Sequence, residues 1–87
     1  MPYRVEVRTS AAKEILSLPQ KLAERVRIAI DALAEKPRPF GYIKLEGSKN
    51  LYRIRVSDLR IVYSIEDTIK IVEIRSIGNR REIYKKL

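Results

Sequence analysis

Eighty-seven residues suffice for one compact domain, which on area scaling buries roughly 60% of the surface its unfolded chain exposes, and a 45% hydrophobic content with only three Gly and four Pro belongs to a folded chain rather than a linker. Nineteen Lys and Arg against eleven Asp and Glu leave a net charge of +8, so polyanions are the natural partners. The absence of Cys and His excludes thiolate nucleophiles, imidazole bases, disulfides and the usual zinc ligands, and no apolar run approaches the ~20 residues that span a bilayer.

With no signal-peptide pattern at the N-terminus either, we expect a single cytoplasmic domain over residues 1–87, with no membrane partner, no metal and no cofactor. In chain order, Tyr3, Val5 and Val7 alternate with Arg4, Glu6 and Arg8, the period-2 signature of a half-buried first strand. Thr9 and Ser10 offer N-cap hydroxyls for a helix through Leu18, with Ala12, Ile15 and Leu16 as its apolar stripe. Pro19 is suited to the first position of a second helix. There Leu22, Val26, Ala29 and Leu33 form the stripe, Lys21, Arg25 and Arg27 lie off it, and the helix is expected to end near Lys36.

Pro37, Pro39 and Gly41 form a connector. Lys44-Leu45-Glu46-Gly47 reads as a loop or short edge segment to which no chemistry is assigned. Three β-rich runs follow, Leu51–Val56, Leu59–Ile65 and Thr68–Ile77, a meander. A two-residue loop at Ser57-Asp58 pairs Val56 with Leu59, Arg55 with Arg60 and Ile54 with Ile61. Tyr52, Ile54, Val56, Leu59, Ile61 and Tyr63 then share one face, while Arg53, Arg55 and Arg60 share the other. A one-residue slip would bury the three arginines, and that cost argues for this register. A second tight turn at Glu66-Asp67 would set Glu73 opposite Arg60 and Arg75 opposite Asp58, pairing part of the charge.

The expected fold is α+β, in the order β-α-α-β-β-β, with a helical hairpin on one face of a small, mainly antiparallel four-stranded sheet. Three guanidiniums on one exposed face read either as an ordinary solvated face or as a phosphate site, and the repulsion between opposed Arg55 and Arg60 favours the latter. The basic tail with Tyr84 suits single-stranded RNA, whose bases stack on aromatic rings while phosphates meet cations, although the ring equally well anchors the C-terminus. Glu46, Glu66, Asp67, Glu73 and Glu82 are candidate bases, but none forms an adjacent carboxylate pair.

The element order, together with Leu45-Glu46-Gly47, Tyr52-Arg53-Ile54-Arg55, Asp58-Leu59-Arg60-Ile61-Val62-Tyr63 and Ile77-Gly78-Asn79-Arg80-Arg81-Glu82-Ile83-Tyr84, resembles the RelE/ParE toxin superfamily over essentially the whole chain. The resemblance implies the toxin of a toxin–antitoxin pair. In its RelE branch it implies an endoribonuclease that cuts mRNA in the ribosomal A site, using the ribose 2′-hydroxyl as nucleophile without a metal. It points to Arg55, Arg60, Arg80 and Tyr84 as catalytic residues, to Arg53, Arg81 and Lys85 as substrate-binding residues, and to a cognate antitoxin, the ribosome and mRNA as partners. Some family members carry lysines at the positions of Arg53 and Arg55, and many have His where Asn79 stands. Alternatives are a ParE-type gyrase inhibitor of the same fold and a basic nucleic-acid-binding domain without catalysis.

Overall fold

The computed structural model describes residues 2–79. Strand β1 (Arg4–Val7) leads into helices α1 (Thr9–Leu16) and α2 (Gln20–Ala32), followed by β2 (Ile43–Lys44), β3 (Leu51–Val56), β4 (Leu59–Glu66) and β5 (Ile71–Asn79). The sheet has five strands in the order β1-β5-β4-β3-β2, one more than the sequence suggested. The addition is β2, which pairs Ile43 with Arg53 and Lys44 with Tyr52 and turns the edge segment into a short edge strand. β1 pairs in parallel with β5, Val5 beside Val72, and the other neighbours are antiparallel.

Helix α1 begins one step away from its expected cap. Arg8 is still held by the sheet, its N–H donating to Ile74 O at 3.0 Å, and this extended residue, rather than Thr9 or Ser10, is the N-cap, without a side-chain hydrogen bond. Both hydroxyl residues therefore lie inside the first turn. The helix ends at Leu16, earlier than Leu18, because a residue preceding proline is pushed out of the helical region. Ser17 closes the end with its Oγ donating to Glu14 O at 2.8 Å. Pro19 is the N-cap of α2, not its first helical residue. Beyond Ala32 the chain tightens to i→i−3 bonds from Leu33, Ala34 and Glu35, so the turn runs on toward Lys36 as 3₁₀-like geometry.

Both helices pack on one face of the sheet, and their buried stripes are rotated from those expected. Ala11 and Ile15 are buried in α1, while Leu16 is 78% exposed. In α2, Ala23, Val26 and Ile30 are buried and continue to Leu33, with Leu22 and Ala29 only partly covered. They meet Tyr52, Ile54, Ile61, Tyr63, Ile65, Val72, Ile74 and Ile77 from the sheet, with Val56 and Leu59 packed at the margin. Tyr63 is fully buried, and its hydroxyl donates to Pro37 O at 2.7 Å, tying the connector to the core. The same connector is clamped by Arg38, which pairs with Asp67 at 2.9 Å and donates to Tyr52 Oη at 3.2 Å.

The β3–β4 hairpin has the register that side-chain alternation implied: Tyr52 opposite Tyr63, Ile54 opposite Ile61, Arg55 opposite Arg60, Val56 opposite Leu59. Ser57, in the turn, takes φ 55°. The next connection departs from expectation. Strand β5 starts at Ile71, because 67–70 form a four-residue loop in which Lys70 takes φ 57°. Glu66 pairs with Ile71 and Ser64 with Glu73. A bulge then shifts the ladder between Val62 and Tyr63, which pair with Ser76 and Ile74, and Arg75 is the extra residue. Glu73 is therefore not opposite Arg60, nor Arg75 opposite Asp58; Gly78 faces Arg60.

Candidate nucleic-acid interface

The sheet face turned away from the helices carries the charge. On β3, Arg53 and Arg55 occupy alternate positions of this outer face, and Arg60 stands directly across from Arg55 on β4. Arg55 is exposed, while Arg53 and Arg60 are half-buried. Arg55 Nε donates to Ser57 O at 3.1 Å, which braces that side chain on the hairpin turn. Arg53 Nε is buried and has no hydrogen-bond partner among the described residues.

Ion pairing separates this group from the other arginines of the sheet and connector. Arg4 pairs with Glu6 at 2.9 Å, Arg8 with Glu73 at 3.4 Å, Arg38 with Asp67 at 2.9 Å and Arg75 with Glu73 at 3.3 Å. Among the described residues, Arg53, Arg55 and Arg60 have no carboxylate partner. The four-residue loop and the bulge produce this, since they set Glu73 opposite Ser64, four residues along β4 from Arg60, and leave it between Arg8 and Arg75. Two like charges directly opposite each other destabilise a sheet by a few tenths of a kcal/mol to about 1 kcal/mol unless an anion lies between them. Gly78, paired with Arg60, adds no side chain to the patch.

The candidate bases sort themselves by partner. Asp67 accepts from Arg38 and from Tyr3 Oη at 2.6 Å, and these hydrogen bonds hold its carboxyl down at about 2; it belongs to the structural clamp. Glu66 accepts from Asn50 Nδ2 at 2.6 Å, and Glu73 serves Arg8 and Arg75. Glu46 alone of those described shares a concavity with one of the three arginines, Arg53. Arg80, Arg81, Glu82, Tyr84 and Lys85 lie outside the described residues. The register does fix where their segment departs: Asn79 pairs with Leu59, next to Arg60.

Two further cations that sequence reasoning left out border this surface without sharing its face. Arg25 of α2 and Arg55 line one shallow depression of about 300 Å³ with Ile28, Ala29, Val56 and Ser57. The sequence carried half the signal, since Arg25 lies off the apolar stripe, but only the packing of α2 against β3 brings it to Arg55. Lys44, on β2, borders the depression that contains Arg53, but it pairs with Tyr52 and so lies on the helix-side face of the sheet.

The sequence pattern of a family described as ParE toxin of type II toxin–antitoxin system, parDE, matches residues 5–84. This chain belongs to the ParE toxin family, within the RelE/ParE superfamily. A toxin RelE of Mycobacterium tuberculosis is 32% identical over 85 residues, covering 97% of this chain and 88% of its own length. Among solved structures, the archaeal RelE–RelB complex of Pyrococcus horikoshii OT3 matches with a TM-score of 0.82 at 35% identity, covering 92% of this chain and 97% of that one. A mutant of the E. coli toxin RelE in the free state matches with a TM-score of 0.82 at 27% identity, covering 98% and 93%. The five-stranded sheet with two helices on one face is thus the RelE fold. In this ParE-family toxin the arginines without a carboxylate partner among the described residues sit on the sheet face turned away from the helices.

Proposed function

We propose that this toxin is of the RelE type, an endoribonuclease that inhibits translation by cutting mRNA in the ribosomal A site. The observation that carries the reading is the cross-strand pair Arg55–Arg60, joined by Arg53, with no carboxylate partner among the described residues. Attack of a 2′-oxygen on the adjacent phosphorus gathers negative charge on the equatorial oxygens, and fixed guanidiniums stabilise that charge more than they stabilise the ground-state diester. Arg55 and Arg60 are assigned that role, and Arg53 that of holding a flanking phosphate. Arg80, Arg81 and Lys85 extend the basic surface by resemblance.

Proton transfer is assigned to Tyr84, again by resemblance. An unperturbed phenol has a pKa near 10, which would have to fall for this role, and cations brought close to it would lower it. Arginine itself stays protonated and makes a poor base. The reaction requires no metal in this scheme, since the 2′-hydroxyl is the substrate's own nucleophile. The ribosome supplies the geometry that a shallow patch lacks, and such positioning is worth several kcal/mol. The partner that restrains the toxin in the cytoplasm is a cognate antitoxin, as in the RelE–RelB complex of Pyrococcus horikoshii.

A ParE-type action on gyrase is favoured by one observation, the family match over residues 5–84. Primer extension on mRNA from induced cells, with gyrase supercoiling assayed on the same lysate, separates the two. New 5′ ends within codons of translated messages are the expected result. Inhibited supercoiling without such ends replaces the reading with the ParE type, and neither effect reduces the protein to a binding module.

A further inference from the structure

Strand β1 accompanies β5 only as far as Ile74, which pairs with Val7 and accepts the N–H of Arg8 at 3.0 Å, whereas β5 continues to Asn79. Along this continuation the neighbour is helix α1, and the N–H of Ile77 donates to Glu14 Oε1 at 3.2 Å. A side-chain carboxylate thus stands where a longer β1 would have offered a carbonyl. Ile77 is 1% exposed, and a strand N–H buried without an acceptor forfeits the worth of a hydrogen bond. By pattern, Glu14 is out of place. It shares one stripe of α1 with Ala11 and Ile15, at i, i+3 and i+4, and both of those are buried, so a carboxylate holds a half-buried position that an apolar residue would fill without desolvating a charge. Its backbone is braced too, since Ser17 Oγ donates to Glu14 O at 2.8 Å.

What Glu14 holds is the end of β5 beside the arginines. The pairs that follow Ile61–Ile77 are Arg60–Gly78 and Leu59–Asn79, and the next residue in sequence is Arg80. Gly78 has no side chain with which to anchor itself. We infer that Glu14 is a positioning residue for phosphodiester cleavage, one that fixes the end of β5 against α1 and thereby the point next to Arg60 from which Arg80 and Tyr84 follow. The inference rests on the RNA-cleaving reading above and adds to it a residue of α1, outside the arginine face. Guanidiniums act on the charge of the reaction only at short range, and a misplacement of about 1 Å caused far from the reacting atoms can cost about a hundredfold in rate. The bond from Ile77 guards against a shift of that size, because at 3.2 Å it is already near the long end of the useful range and a further ångström breaks it.

The test compares the full-length wild type with Glu14→Gln, which keeps an acceptor oxygen at the same reach, with Glu14→Ala, which removes it, and with Tyr63→Phe, which deletes a buried hydrogen bond elsewhere. Single-turnover cleavage of a defined message on programmed ribosomes gives the maximal rate and the toxin concentration at half that rate. Glu14→Ala should lower the maximal rate roughly 10- to 100-fold and leave the half-maximal concentration within about twofold of the wild type. Glu14→Gln should stay near the wild type, as should Tyr63→Phe below its melting transition. In the isolated proteins, hydrogen exchange followed by NMR should show the Ile77 amide exchanging at least about tenfold faster in Glu14→Ala, with Val72 unchanged and Glu14→Gln protected. A maximal rate in Glu14→Ala no lower than in Tyr63→Phe makes the bond merely structural and overturns the inference. So does an effect confined to the half-maximal concentration, which assigns Glu14 to docking, or a Glu14→Gln as slow as Glu14→Ala, which makes its charge the cause. If Glu14→Ala does not fold, Glu14→Asp, which keeps the charge and draws the oxygen back by one methylene, takes its place with the same expectations. If the wild type cuts no message, the cleavage reading falls, and the exchange of Ile77 alone decides whether Glu14 places the strand end.

Discussion

Arg55 and Arg60 face each other across the β3–β4 hairpin, one residue inside the turn pair Val56 and Leu59, and neither has a carboxylate beside it among the described residues. A fold gains nothing from that juxtaposition in the free protein. Arg60→Ala is therefore expected to lower mRNA cleavage at least 100-fold while leaving thermal stability unchanged or raising it slightly, since a repulsive cross-strand pair is removed. Circular dichroism melting and primer extension on the same preparation check both halves. A variant that unfolds, or one that still cuts, contradicts the assignment. Arg80→Ala should show the same separation of activity from stability.

The hairpin turn that presents these arginines holds Ser57 at φ 55°. An L-residue in that region costs roughly 1–2 kcal/mol, part of which a glycine recovers, offset by the greater freedom of its unfolded chain. Ser57→Gly should accordingly raise the melting temperature by a few degrees and keep cleavage near the wild-type level, because the Arg55 Nε bond goes to the backbone oxygen of residue 57. A melting temperature that falls by several degrees would show that the Ser57 side chain matters more than its backbone angle.

Tyr63 is the largest fully buried side chain among the described residues, and its hydroxyl donates to Pro37 O. Tyr63→Phe leaves that carbonyl without its partner, at a cost of about 1–3 kcal/mol, which for a domain of this size is a fall of roughly 5–20 °C. Burial also pushes the phenol well above its ordinary value of 10.0. With the folded-state pKa raised, the contribution of Tyr63 is complete below about pH 10 and is lost as pH climbs above it. Urea denaturation between pH 9 and 11 should show this alkaline loss in the wild type and a smaller one in Tyr63→Phe.

Asp67 shows the opposite sign. Its hydrogen bonds from Arg38 and Tyr3 hold its folded pKa near 2, below the ordinary 3.8, so the stabilisation is present above about pH 4 and disappears as pH falls toward 2. The pair is largely exposed, which limits its worth to about 1 kcal/mol or less. Asp67→Asn should lower the melting temperature at pH 7 by no more than a few degrees and flatten its decline between pH 4 and 2. Identical acid profiles for variant and wild type would remove Asp67 from the acid response.

The antitoxin proposed above meets a basic surface, and exposed apolar side chains are at hand in Phe40, Ile43, Leu16 and Ile28. Toxin–antitoxin affinity measured across a salt series should therefore weaken with ionic strength and level off rather than vanish. Complete loss at moderate salt excludes an apolar component, and indifference to salt excludes the arginine face from the interface.

Much of the arginine face was legible without coordinates. Alternation of Tyr52, Ile54 and Val56 with Arg53 and Arg55, and of Leu59, Ile61 and Tyr63 with Arg60, encodes which side is buried, and a two-residue loop leaves one register compatible with it. These are local properties, settled by burial within a dozen residues. The tertiary structure decided what depends on distant partners. Whether Glu73 neutralises Arg60 turned on a four-residue loop with Lys70 at φ 57° and on a bulge at Arg75, neither of which has a composition cue. The stripe of α2 was rotated by what it packs against, bringing Ile30 inward and Arg25 toward Arg55. The parallel seat of β1 beside β5, and the short β2 that walls the hollow next to Arg53, join residues far apart in the chain. Period-2 patterning cannot specify such neighbours, because any half-buried strand edge satisfies it; the choice among edges is made by the packing of the whole domain.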